Sequence, residues 1–110
     1  MRYKNLSLIL IVSLFSGCMG GISRMNFSEG IHSFQVQDYR QAFIRLMPEA
    51  KAGNPDAQYA VGYMYYYGQG VVEDRTKAWY WITCAAKAGQ ADAIKAAHIL
   101  AAAPADNIPK

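Results

Sequence analysis

The chain has 110 residues, of which 53% are hydrophobic and 17% are charged, and its formal net charge is +3. This length allows one small domain, and the composition excludes an intrinsically disordered chain. Two of the basic side chains, Arg2 and Lys4, lie at the N-terminal end, and the remaining ones form no basic run. The charge pattern therefore gives no indication of binding to nucleic acid.

The first 17 residues have the three parts of a secretory signal peptide. Arg2 and Lys4 precede the apolar run LSLILIVSLF, and the small residues Ser16 and Gly17 follow it. A membrane-spanning helix needs about 20 apolar residues, whereas glycines interrupt this segment soon after Phe15. We therefore predict that residues 1–17 are a signal peptide.

The end of this segment, LFSGC, resembles the lipobox of bacterial lipoproteins. The resemblance implies that Cys18 becomes the first residue and carries acyl chains, with residues 18–26 as a lipidated tether. It also favours an outer membrane lipoprotein facing the periplasm, because Met19 is not the aspartate associated with inner-membrane retention. Phe15 departs from the usual leucine, and the alternatives are a secreted or periplasmic protein cut near Gly17 and a retained signal anchor. With Cys18 acylated, Cys84 has no intrachain partner and is expected to be a buried apolar residue or an intermolecular thiol.

The rest of the chain predicts about five helices in an all-α fold. Polar residues that cap helix N-termini and glycines that end helices bound the segments 27–36, 38–52, 55–67, 75–88 and 91–102. The start signals are Asp38, Asn54 and Asp74, and the last helix is predicted to lack a cap. Residues 103–110 are predicted to be a tail.

A shift of about 36 residues aligns the chain with itself. Asp38 then meets Asp74, Ala42 meets Ala78, and the segment AKAG at 50–53 meets the same letters at 86–89. A period in the thirties is typical of stacked helical hairpins.

The segment AQYAVGYMYYYGQGVVEDRTKAWYWITCAAKAG closely resembles a Sel-1-like repeat, a relative of the tetratricopeptide repeat. The positions that carry the resemblance include Ala57, Gly62, Tyr65, Gly68, Gly70, Asp74, Ala78, Trp81, Ala85, Ala86 and Gly89. The resemblance implies an α/α solenoid over residues 27–102, with a full repeat at about 54–89. Residues 27–53 are a degenerate repeat without the Gly-x-Gly-Val loop, and 91–102 are a partial repeat in which His98 replaces a glycine.

Four tyrosines between Gly62 and Gly68 pose the question of which rings are buried. On a helical wheel Ala57, Ala60, Val61 and Met64 form the packed face, with Tyr65 and Tyr67 at its flanks. Tyr59, Tyr63 and Tyr66 share the opposite face. We predict that these three form part of a protein-binding groove, because tyrosine provides a large contact area with few rotatable bonds. The alternative is that they pack against the adjacent repeat.

The pattern of reactive residues gives no indication of an enzyme. His32 and His98 lie in different helices without a carboxylate or cysteine at ligand spacing, so we predict neither a metal site nor a cofactor. Nothing in the sequence marks Cys84 as an activated nucleophile, either alone or with His98 as its base. A cysteine-rich branch of the Sel-1-like family is linked to β-lactam binding, but its paired cysteines are absent here.

These patterns together predict a non-enzymatic protein–protein interaction module, anchored in the cell envelope as an adaptor or scaffold. The partner is expected to be a protein. A self-associating structural envelope protein and a secreted effector or β-lactam-binding relative are the alternatives.

Overall fold

The computed structural model describes residues 25–102, and all regular structure in that range is helical. The helices are α1 (residues 25–35), α2 (Tyr39–Lys51), α3 (Pro55–Tyr67), α4 (Arg75–Lys87) and α5 (Ala91–Ala102). Each end lies within two residues of its predicted position, so the predicted all-α fold is confirmed. Residues 25 and 26, assigned above to the tether, belong to α1.

Helices that follow each other in the chain pack against each other, as in a helical solenoid. The largest contacts join α2 to α3, α3 to α4, and α4 to α5. The helix α1 lies against α2 at Gly30, where an added Cβ would come within 2.8 Å of the Leu46 side chain. Each helix pair is therefore supported by its neighbours along the chain.

Side-chain caps begin four of the helices. Asp38 Oδ1 accepts a hydrogen bond from Gln41 N, Asn54 Oδ1 accepts from Asp56 N and Ala57 N, and Asp74 Oδ1 accepts from Lys77 N. The prediction that the last helix lacks a cap is wrong, since Gln90 Oε1 accepts from Ala93 N at 2.6 Å. A side-chain oxygen, from a carboxylate at Asp38 and Asp74 and from an amide at Asn54 and Gln90, thus accepts from an otherwise unpaired N–H group of the first turn in each case.

Three short turns share one hydrogen-bonding pattern. After α2, Gly53 N donates to Ala50 O and Asn54 N donates to Glu49 O, and the same two bonds recur after α1 and α4. The central residue is left-handed each time, at Gln37, Gly53 and Gly89. This is the Schellman arrangement, which reverses the chain immediately after a helix.

The loop from α3 to α4 is longer and packs on α2. Gly68 ends α3 in the left-handed region, and Asp74 N donates to Tyr65 O at 3.0 Å. At Gly70, with φ of 71°, an added Cβ would overlap the Tyr39 carbonyl. The Gly-x-Gly loop therefore lies directly against the first turn of α2, where no side chain fits.

The core is divided into two clusters of buried side chains. The larger one joins α2, α3 and one position of α4, and consists of Ala42, Leu46, Ala50, Ala57, Val61, Met64, Tyr65 and Ala78. The smaller one joins α4 to α5 through Ile82, Ala85 and Ala93. Most of the buried apolar volume thus lies in the first four helices, and α5 is held by a smaller set of contacts.

Candidate protein-binding surface

Helix α3 separates its tyrosines onto two faces. Tyr65 is only 7% exposed and lies in the core, where its ring meets Phe43 edge-on at a centroid distance of 5.3 Å. Tyr59 and Tyr66 are half-buried and Tyr63 is 37% exposed. The structure thus places the three tyrosines predicted to bind protein together on one side of α3, where Tyr66 also packs against the larger core and Tyr59 against the smaller one.

Tyr67 belongs with these three, although the helical wheel placed it at the flank of the packed face. Tyr67 is 56% exposed, and the centroid of its ring lies 4.7 Å from that of Tyr63 and 4.9 Å from that of Tyr66. Residues 59, 63 and 67 are spaced by four, which stacks their side chains along one helix face. That spacing was the signal in the sequence that could have identified Tyr67.

A groove of about 200 Å³ lies between α3 and α5. Its walls are the four tyrosines on one side and Ala96, Ile99 and Leu100 on the other, with Ile82 of α4 also contributing. A second groove of about 320 Å³ lies between α1 and α3, where Phe27, Ile31 and Phe34 face Tyr59 and Tyr63. Because Tyr59 and Tyr63 line both grooves, the two are parts of one continuous surface.

We call this the aromatic surface, defined by Phe27, Ile31, Phe34, Tyr59, Tyr63, Tyr66, Tyr67, Ile99 and Leu100. Its aromatic rings pack against one another. Phe34 contacts Tyr63 edge-on at a ring-centroid distance of 6.0 Å, and the centroids of the Tyr59 and Tyr63 rings are 6.5 Å apart. Such contacts restrict ring motion before any ligand arrives, which lowers the entropy cost of binding. Sequence analysis found the part on α3 and missed the part on α1 and α5.

The two ends of the aromatic surface differ in charge. At the end where α3 and α5 begin, Asp56 and Asp92 lie near Tyr59, and burial followed by the Asp92 charge raises the pKa of the Tyr59 phenol. At the opposite end, the Arg75 guanidinium lies 3.7 Å above the Tyr66 ring. Arg75 Nε also donates to Glu73 Oε1 at 3.0 Å, so this cation is already paired.

The residues that carry the repeat pattern occupy structural positions. Ala57, Ala78 and Ala85 are fully buried, Ala86 is half-buried, and Trp81 packs partly buried against the larger core. At Gly62 an added Cβ would lie 2.7 Å from Ile82 Cγ1 and 3.2 Å from Ala78 O, so the glycine sets the close approach of α3 and α4. Gly68, Gly70 and Gly89 have positive φ.

Reactive groups are separated from one another in the part of the chain that the structure describes. Cys84 is a half-buried free thiol on α4, while His32 and His98 are exposed on α1 and α5. Within residues 25–102 no three His, Cys, Asp or Glu side chains are grouped as a metal site would require. In the same range no helix combines the length and apolarity needed to cross a bilayer.

The predicted signal peptide, Cys18 and the tail 103–110 lie outside the described residues. Their predicted roles therefore stay predictions.

Comparison with known proteins gives one match. No curated protein and no solved structure matches the chain. Residues 55–90 match the model of the Sel1 repeat family, a range that runs from the first residue of α3 to just beyond α4. The match supports assigning this helical hairpin to the Sel1 repeat family, whose repeats generally mediate protein–protein interaction and are typically non-catalytic.

Proposed function

We propose that this protein is an envelope-anchored adaptor that holds a partner protein on its aromatic surface. The observation that carries the proposal is the continuous groove system lined by Tyr59, Tyr63, Tyr66 and Tyr67. Tyrosines combine large apolar area with a polar hydroxyl, and they are enriched in protein interfaces for that reason. The Sel1 repeat match, in a family that binds protein partners, supports the same function.

The anchoring part of the proposal rests on the N-terminal sequence. Several acyl chains on Cys18 would bind the protein stably to a membrane, since each buried methylene contributes about 0.8 kcal/mol. The tether would then place the helices at the periplasmic side of the outer membrane. In fractionated cells the wild-type protein is expected in the membrane pellet. A Cys18→Ala variant cannot be acylated at this position and is expected to lack the processed, membrane-bound form. Equal fractionation of both proteins, without acyl labelling of the wild type, contradicts lipid anchoring.

Crosslinking in the native host, followed by mass spectrometry, tests the adaptor function. A Tyr59→Ala/Tyr63→Ala/Tyr66→Ala variant is expected to lose the partner that the wild-type protein captures. Tyr80→Ala is the matched control, because Tyr80 is a 60% exposed tyrosine on α4 that does not line the aromatic surface. Circular dichroism must show the helices of both variants intact. Capture that persists in the triple variant would place the binding site elsewhere.

Self-association is the second candidate, and the exposed side of α5 favours it. Ile94 and Ile99 are 39% and 70% exposed on a helix with one fully buried residue, Ala93. A second copy could cover these side chains, as a following repeat does in longer solenoids. Sedimentation at increasing concentration separates the two candidates, since an adaptor stays monomeric and a self-associating protein gains mass.

A further inference from the structure

The end of the aromatic surface near Tyr59 carries two carboxylates. Asp56 lines the groove between α1 and α3, and Asp92 lies in the first turn of α5, two residues after Gln90. Gln90 connects the two helix starts, because its Nε2 donates to Asp56 Oδ1 at 3.3 Å. We call Asp56 and Asp92 together the acidic edge.

The acidic edge is not neutralised by the ion pairs found within residues 25–102. Those pairs are Arg45 with Glu29, Arg75 with Glu73, and Lys77 with Asp74. Asp56 and Asp92 both lie in the first turn of a helix, α3 and α5 respectively. The aromatic surface therefore has negative charge at one end and a cation already paired with its own carboxylate at the other.

The same surface shows how a cation fits over its tyrosines. The Arg75 guanidinium lies 3.7 Å above the centre of the Tyr66 ring, within the distance at which the electron-rich face of the ring attracts a cation. Tyr59 and Tyr63, which lie nearer the acidic edge, have no such cation among the described residues. A lysine or arginine from a partner could contact these rings and the carboxylates together.

We propose that the aromatic surface takes a protein segment in which an apolar run is joined to a lysine or arginine, with the cation placed at the acidic edge. The apolar side chains would contact Phe27, Ile31 and Ile99 between the tyrosines, and the basic residue would fix the direction of the segment. This inference rests on the proposed function and specifies the chemistry of the partner.

Selection from a displayed library of random 12-residue peptides tests the inference, with the full-length protein held in detergent micelles. Peptides enriched on the wild-type protein are expected to carry lysine or arginine next to apolar residues. An Asp56→Asn/Asp92→Asn variant is expected to select apolar peptides without that basic preference. A peptide selected on the wild type should bind this variant about three- to tenfold more weakly at low salt.

The matched control is Asp38→Asn/Asp74→Asn, which removes the same charge from two helix starts that do not line the aromatic surface. Asparagine caps helices as well as aspartate does, so this variant should keep the wild-type preference and affinity.

Three results would overturn the inference: no enriched peptides, enriched peptides without a basic preference, or a preference unchanged in Asp56→Asn/Asp92→Asn. Crosslinking in the host separates such a failure from failure of the adaptor function. If capture of a partner depends on the three tyrosines, the adaptor function is supported and only the proposed basic segment is rejected. Crosslinks between copies of this protein alone would reject both and assign the surface to self-association.

Discussion

Single residues set the direction of the chain at its short turns, and one of them is chemically unusual. Gln37 has φ of 65°, in the region where Gly53 and Gly89 stand after α2 and α4. A side chain in the left-handed region brings its Cβ too close to the following carbonyl oxygen, which costs about 1 kcal/mol or more. The first turn therefore keeps the Schellman geometry at a cost that the other two turns avoid.

Replacing Gln37 by glycine is expected to stabilise the fold. The strain relieved in the folded state exceeds the added freedom of the unfolded chain, so the free energy of unfolding should rise by about 0.5–1 kcal/mol. Urea unfolding followed by circular dichroism measures it. Gly53→Gln, the reverse change in the equivalent turn, should destabilise the protein. A Gln37→Gly variant less stable than the wild type would show that the glutamine side chain supports the turn.

The raised pKa of Tyr59 predicts a loss of stability at high pH. Burial and the nearby Asp92 charge disfavour the phenolate in the folded state, whereas in the unfolded chain the phenol has its ordinary pKa of 10.0. The unfolded state therefore binds fewer protons above pH 10, and the free energy of unfolding should fall there as pH rises towards the raised folded value. Tyr59→Phe should make that fall less steep.

A difference titration provides the control for this prediction. Absorbance of the phenolate, taken as wild type minus Tyr59→Phe, reports Tyr59 alone. Its midpoint should lie higher in the native protein than in concentrated urea. Coincident midpoints would mean that the aromatic surface does not shield this phenol.

At the scale of the helices, the glycine at position 62 determines how closely α3 and α4 pack. Its missing Cβ leaves room for Ile82 and for the backbone oxygen of Ala78. The larger and the smaller core clusters meet at this crossing, because Val61 and Met64 belong to one and Ile82 to the other. A change in the separation of the two helices would therefore affect both clusters.

Gly62→Ala is expected to lower the free energy of unfolding by about 1–3 kcal/mol, the usual cost of overpacking. The gain in helix propensity of about 1 kcal/mol from alanine would otherwise make the protein more stable, so the sign of the change is diagnostic. Urea denaturation of Gly62→Ala, Ile82→Ala and the double variant gives the coupling. The double variant should lose less than the two single losses combined, and strict additivity would show that Ile82 is not the obstacle.

The helices also show what sequence patterns can predict and what they cannot. Asp38, Asn54 and Asp74 cap helices as predicted, because short polar side chains bond their own first turn without help from the rest of the fold. The roles of Gln90 and Gln37 escaped prediction, since neither residue type is a common cap or a left-handed residue. Tyr67 was misplaced because the wheel treats every turn of α3 as equally covered. The ring is in fact exposed at the last turn, just before the chain leaves α3 at Gly68.

At the scale of the whole molecule, the aromatic surface is formed by helices that are not equally well packed against the rest of the fold. Its centre is on α3, which is packed on both sides by α2 and α4. One wall is on α5, which contributes Ala93 alone to the buried residues. The surface could be recognised from the sequence on α3, but its walls required the packing of α1 and α5 across chain separations that periodicity does not encode.

Native-state hydrogen exchange is expected to show that α5 opens before the remaining helices. In a solenoid each unit is stabilised by its neighbours, and a helix held by few buried contacts opens at a free energy below that of global unfolding. The amides of α5 should therefore exchange faster than those of α2, α3 and α4, and with a weaker dependence on denaturant.

Leu46→Ala provides the test of this hierarchy, because Leu46 is fully buried in the larger core and distant from α5 in the chain. The substitution should lower protection in α2, α3 and α4 by about 2–5 kcal/mol. Protection in α5 should change little as long as the free energy of global unfolding remains higher than the free energy of local opening of α5. Equal loss in all helices would instead show that α5 unfolds only with the rest, and that both walls of the aromatic surface are present whenever the protein is folded.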